Sequence, residues 1–305
     1  MSSTHEALST GGLGAVGRLR QPRRELRLSG SDTAWAVAFL VPYAAIFVAF
    51  VVYPIAFGLW MGSDPALYRI LFSDPLYLTT VFNTLLFAAI GVNVQIFGAF
   101  LLSGFFMRRG RFRRSLLAVY LLPCALPALS AFVSIHYMTV SEWGFLDSLW
   151  RAVTGEDGPL FLVSRWLATS MNILSYIWKW MPFWTLVFMA ARMAIPGEVY
   201  EAAVIDGASR IDCLVYVTFP LLANVYLVCT LLAAIWAIGD FSTVYFVSYG
   251  APARQTDILA TFGFHRAFDF GYPNQGVAAM MSALPILIPA VILLMRRIRM
   301  TGVQL

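Results

Sequence analysis

Six long apolar runs divide this 305-residue chain, and runs of that length leave few choices of environment. About 20 mostly apolar residues in a helix cover the roughly 30 Å of hydrocarbon in a bilayer. Residues 34–60 and 79–107 contain no charged residue at all. Residues 115–140 carry only His136, and residues 167–191 carry only Lys179. Residues 213–239 and 276–295 complete the set. Soluble domains are about 45–50% apolar and about 25% charged, whereas this chain is 60% hydrophobic and 12% charged. The pattern predicts an all-α, polytopic membrane protein and excludes an ordinary soluble enzyme.

The basic residues orient these runs. Five arginines precede residue 34, five more lie in 108–114, Arg192 and Arg210 flank a third loop, and Arg296, Arg297 and Arg299 follow the last run. These make fifteen of the 21 basic residues. The opposite side has only Arg69, Arg151, Arg165, Arg254 and Arg266. The positive-inside rule therefore predicts six transmembrane helices with both termini cytoplasmic. It divides the chain into a cytoplasmic tail 1–33, a membrane domain 34–295 and a cytoplasmic tail 296–305. The net charge of +5 is thus a topological signal, and the run 108–114 reads as lipid-facing rather than as a nucleic-acid site. No apolar core long enough for a cleavable signal peptide precedes residue 34, so the first helix is expected to direct insertion. Cys124, Cys213 and Cys229 are far apart and suggest neither a metal site nor a disulfide framework. Prolines such as Pro42, Pro123, Pro127, Pro182 and Pro289 predict kinked helices.

One cytoplasmic segment differs from the other two. Residues 195–222 carry four acidic side chains, Glu198, Glu201, Asp206 and Asp212, where a topogenic loop would be basic. Pro196 and Glu198 suit the first turn of a helix, and Gly207 suits its end. Ala202 and Ala203 would let another surface approach closely, and Glu201 offers a charge-assisted contact to a basic partner. The expectation is a short helix outside the membrane, between the fourth and fifth spans, built to be gripped.

That segment resembles the EAA loop of permeases in binding-protein-dependent ABC importers. Glu201, Ala202 and Ala203 are followed by Gly207 and, nine residues later, by Val217-Thr218-Phe219-Pro220, against an Ile-x-Leu-Pro ending in the family. Residues 177–183, Phe82-Asn83-Thr84, Arg113-Arg114 with Leu121-Leu122-Pro123, and Tyr249-Gly250-Ala251-Pro252 with Thr256 are similar to the maltose-type sugar branch, although Ala251 stands where a second Gly is usual. The resemblance implies two permease subunits, the second a different chain, on an ATPase dimer, fed by an extracytoplasmic solute-binding protein at a bacterial-type inner membrane. It makes Glu201, Ala202, Ala203, Asp206, Gly207 and Pro220 the ATPase-coupling residues, and the cargo a sugar, oligosaccharide or polyol. No G-x-x-x-x-G-K-[ST] sequence occurs here, so ATP and Mg belong to the partner and this chain is expected to bind no cofactor or metal.

Polar groups at membrane depth face a cavity or a partner. Asn172, Tyr176, Lys179 and Trp180 recur at helical spacing and are candidates for the solute path, with Asn93, Gln95, Trp236 and Asp240. Each has a structural alternative: Lys179 as a tie between helices, Asn93 and Gln95 as interhelical glue, Trp236 as an interfacial anchor. Residues 141–166 and 240–275 are rich in aromatics such as Trp143 and Tyr249, as an interfacial belt would be, and the resemblance implies that they form the outer surface for a docking binding protein. A permease for a non-sugar solute is the alternative within the family. A proton-coupled transporter would show internal repeats and paired membrane carboxylates, and neither is seen. No HExxH or Gly-x-Ser-x-Gly context suggests catalysis in this chain.

Overall fold

The computed structural model describes residues 30–108, 110–140 and 144–301. The arginines of the N-terminal tail, Arg109 and Trp143 lie outside the described residues. Every described element is helical. The first unit runs to Ile55 and contains α1 (Gly30–Phe47), a π-helical turn Val48–Val52 and the start of α2 (Tyr53–Met61). Pro54 follows that turn, in keeping with the backbone donor that a proline removes.

The second unit, Ala56 onward, holds the remaining elements. Two Ser-Asp-Pro sequences open its first helices, α3 (Pro65–Ser73) and α4 (Pro75–Phe106). Asp64 accepts the Ala66 amide and Asp74 the Leu76 amide, each at 2.8 Å, and the proline supplies a first-turn residue that needs no donor. Between residues 111 and 139 lie α5 (Arg111–Tyr120), α6 (Leu122–Ala125) and α7 (Ala128–Thr139). The kink expected from the prolines within 115–140 is a sharp one: the chain bends by 98° at Leu126. Leu126 precedes Pro127, whose ring bars it from helical geometry, and it is accordingly extended, with ψ 140.

Next come α8 (Phe145–Thr154) and α9 (Arg165–Met193). Beyond them lie α10 (Gly197–Ile205), α11 (Arg210–Asp212), a π-helical turn Cys213–Thr218 and α12 (Phe219–Ile238). Short helices α13 (Ser242–Val247) and α14 (Leu259–Phe264) lead to α15 (Pro273–Met281) and α16 (Leu284–Thr301). Among the described residues, four helical stretches are long and apolar enough to cross a membrane: Ala34–Met61, Pro75–Phe106, Arg210–Ile238 and Pro273–Arg297. The bent pair α5–α6 with α7 makes a fifth if counted as one span. α9 has the length, 29 residues, but is too polar to qualify.

α9 is polar because it is the hub of the core. Tyr176, Trp184 and Phe188 of α9 pack on Phe87, Ile96 and Phe100 of α4, and Ala233 and Ala237 of α12 bring that helix close. A second cluster joins Leu71, Tyr77, Leu259, Phe262, Ala278 and Ala279. In it α14 crosses α15 at Gly263 and Gly276, where a Cβ on Gly276 would lie 2.4 Å from the Gly263 carbonyl oxygen. Only glycine permits that approach.

Two motifs distant in sequence meet here. Asn83 donates to the carbonyls of Gln255 and Asp257 at 2.7 and 3.0 Å and accepts from Arg165 at 3.1 Å, while Thr84 accepts the Leu259 amide at 2.9 Å. The start of α4 thereby clamps the irregular 249–259 segment. Beyond it Arg266 pairs with Asp74, and the His265 ring, 2.6 Å from Asp269, holds the Asp269 carboxyl below its usual range with help from Arg254. Asn83→Ala removes three hydrogen bonds, one buried and two partly buried, and is expected to lower stability by roughly 3 kcal/mol, read as a fall in the melting temperature of the detergent-purified protein.

Candidate functional site: solute path and coupling helix

The acidic segment forms a short exposed helix, as its residues predict. α10 begins after Pro196, carries Glu198 in its first turn and has no buried residue. Glu201, Ala202 and Asp206 are exposed and Ala203 half-buried. Gly207, with φ +84, ends the helix, a left-handed position that glycine occupies without strain. Its amide bonds to Val204 and the Ala208 amide bonds to Ala203, at 3.0 and 2.9 Å, which closes a Schellman motif. Ser209 and Asp212 then form a reciprocal capping box that starts α11. The result is a rigid helical corner. Val204, Ile205 and Ile211 are 65%, 85% and 72% exposed on it, an apolar surface that no other described residue covers.

The corner is tied back to the bundle. The Tyr200 hydroxyl meets Thr218 at 3.1 Å, at the end of the π-helical turn. Pro220 follows within the first turn of α12. Arg192, counted from sequence as a loop charge, is instead buried at the end of α9. It donates to Ser103 Oγ and the Phe100 carbonyl of α4 at 2.7 and 3.0 Å.

Further along α9 and α12 a cavity of about 380 Å³ is lined by Tyr176, Trp180, Ile235, Trp236, Gly239 and Asp240. Four of the candidate path residues therefore converge. The Trp180 and Trp236 rings lie 5.9 Å apart, and the Asp240 carboxylate accepts the Thr243 amide and hydroxyl at 2.8 and 2.9 Å. A neighbouring cavity of about 350 Å³ shares Trp236 and adds Phe183, Trp184 and Asn224. The Asn224 Oδ1 atom is buried there without a hydrogen bond. Aromatic walls with a few fixed polar groups are the common form of a small-molecule site.

The other candidates lie elsewhere. Asn93 is exposed and donates to its own helix at Ala89, while Gln95 is fully buried beside the Tyr176 hydroxyl. Asn172 donates to Ser248 at 2.9 Å. Lys179 turns away from the cavity and donates to the carbonyls of Pro123 and Leu126, both at 2.5 Å, at the 98° break. Phe183, Trp184 and Asn224 were missed. Trp180, Phe183 and Trp184, at helical spacings of three and four, were the available signal for the first two.

The matches to known proteins follow this geometry. Residues 95–299 fit the family model described as binding-protein-dependent transport system inner membrane component. The chain belongs to that family. It is similar to the sulfoquinovosyl glycerol transport system permease protein SmoG of Agrobacterium fabrum, at 30% identity over 89% of this chain and 93% of the relative. The trehalose/maltose transport system permease protein MalF of Thermococcus litoralis is 28% identical over 72% of each chain. The diacetylchitobiose uptake system permease protein DasB of Streptomyces coelicolor is 29% identical over 75% of this chain and 70% of its own. The fold matches a bacterial alginate ABC transporter, crystallised in complex with an alginate pentasaccharide-bound periplasmic protein, with a TM-score of 0.79 at 18% identity over 87% and 93% of the two chains. This chain is thus a multi-pass inner-membrane permease of the sugar-type ABC importer branch, a transport component without catalysis of its own.

Lys179→Met should lower the melting temperature, because two carbonyls at the helix break lose a charged donor, at about 2 kcal/mol. The identity of the transported solute should stay the same. A changed solute profile in uptake assays would return Lys179 to the path.

Proposed function

We propose that this permease carries a carbohydrate-like solute through a groove between α9 and α12, and that α10 couples it to the ATPase. The observation that carries the reading is the rigid, exposed helix Gly197–Ile205, stopped at Gly207 and joined to α12 through Tyr200 and Thr218. A short helix fixed at both ends transmits a displacement as a unit, because packed helices shift rather than deform. Closure of an ATPase dimer would move Glu201, Ala202, Ala203, Asp206 and Gly207 together and, through Pro220, reorient α12 in alternating access.

In this reading α9 and the bent α5–α7 pair are two of six spans, residues 1–33 and 296–305 are cytoplasmic tails, and 34–295 is the permease domain. A polar helix crosses a bilayer when protein covers it, which supports α9 as a span. A second, different permease subunit supplies the facing wall of the groove, and an extracytoplasmic binding protein delivers the solute. Trp180, Trp236 and Tyr176 favour the apolar faces of sugar rings, with Asp240 accepting hydroxyl hydrogens, and the named cargoes of the relatives point the same way. An organic cation is the second reading, favoured by the same carboxylate beside two indoles.

In the reconstituted importer, Glu201→Lys and Gly207→Pro are each expected to reduce solute-stimulated ATP hydrolysis to the basal rate while membrane insertion is kept. ATP-dependent uptake in either variant would contradict the coupling role. The solute that stimulates hydrolysis, neutral sugar or organic cation, separates the two cargo readings.

A further inference from the structure

Where the C-terminal ends of α4 and α9 meet the 200–218 segment, a cavity of about 570 Å³ is lined by Arg108, Arg192 and Arg210. Its lining includes no carboxylate. Among the described residues none of these three arginines forms an ion pair; the ion pairs use Arg151, Arg254, Arg266 and His265. Topology alone accounts for arginines at this level, but a topogenic arginine extends into solvent. Arg192 is buried and held by two hydrogen bonds to α4, with its guanidinium 4.6 Å from the centre of the Phe100 ring. A guanidinium has five N–H donors, so those two bonds and the neighbouring Tyr200 hydroxyl still leave charge and donors at the cavity wall. Three cations around one cavity repel each other until an anion enters.

The other wall selects the kind of anion. Leu101 and Phe105 line the same cavity and are exposed on α4, in the turns just before Arg108. The cavity thus grades from guanidinium groups to the apolar surface of a membrane-length helix. Arginine forks match the geometry of phosphate oxygens, and basic pockets between helices at a membrane boundary suit anionic head groups. We propose that Arg108, Arg192 and Arg210 form a binding site for a phosphate group, carried by an anionic phospholipid or free in solution. Tyr200 and Val204 of α10 complete the lining, so the occupied site touches the coupling segment directly.

The test uses the complete transporter in nanodiscs of phosphatidylcholine with phosphatidylglycerol, and native mass spectrometry counts the phosphatidylglycerol retained. Arg108 and Arg210 are exposed, so the double variant Arg108→Gln, Arg210→Gln leaves the core intact. Its control is Arg111→Gln, Arg114→Gln, equally cationic and outside the cavity. The expected result is roughly tenfold weaker retention in the first variant and none of that loss in the control. A parallel arm measures binding of inorganic phosphate in pure phosphatidylcholine nanodiscs; loss there alone assigns the site to a soluble anion. Equal retention of both probes by wild type and variant, or an equal loss in the control, would overturn the proposal.

Discussion

Hydrocarbon offers no hydrogen bonds, and on the proposed reading of α9 as a membrane span the arrangement of this protein depends on that constraint. A helix that is to carry polar groups through a bilayer must find their partners inside the protein. α9 does so along its length: Asn172 reaches Ser248 before α14, Lys179 reaches the broken α6–α7 connection, Thr185 meets Tyr120 of α5 at 2.9 Å, and Arg192 reaches α4. Each bond pins a different neighbour to the same helix. The polarity that keeps α9 from resembling a lipid-facing span is therefore what assembles the bundle around it.

The same logic orders the functional parts. The ties leave from several sides of α9, and between them Tyr176, Trp180, Phe183 and Trp184 line the cavities shared with α12. At the end of α12 the chain passes through a π-helical turn into an exposed corner stopped at Gly207. Groove and corner thus share one element. On the proposed coupling role, a push on the corner is also a push on a wall of the groove.

Much of this was legible in the sequence. Pro196, Glu198 and Gly207 mark the α10 boundaries to within two residues, because caps and breakers act locally. The kinks were visible as prolines, but not the 98° bend, since its size depends on how Lys179 captures the freed carbonyls. Phe82-Asn83-Thr84 and 249–256 were recognisable separately, whereas their hydrogen bonds span more than 170 residues and have no local signature. Asn93 and Gln95 stand two apart on a helix and so point about 200° apart, which is why one is exposed and the other buried. Arg192 counted as a loop charge because a charge pattern carries no information about burial.

The central claim is that α10 is the part of this chain that a partner ATPase grips. In a chain whose three cysteines are replaced by serine, Ala202→Cys should cross-link to the ATPase subunit of the assembled importer, with a yield that changes when ATP is added. A transport-competent importer in which that cysteine forms no adduct with the ATPase in either state would contradict it.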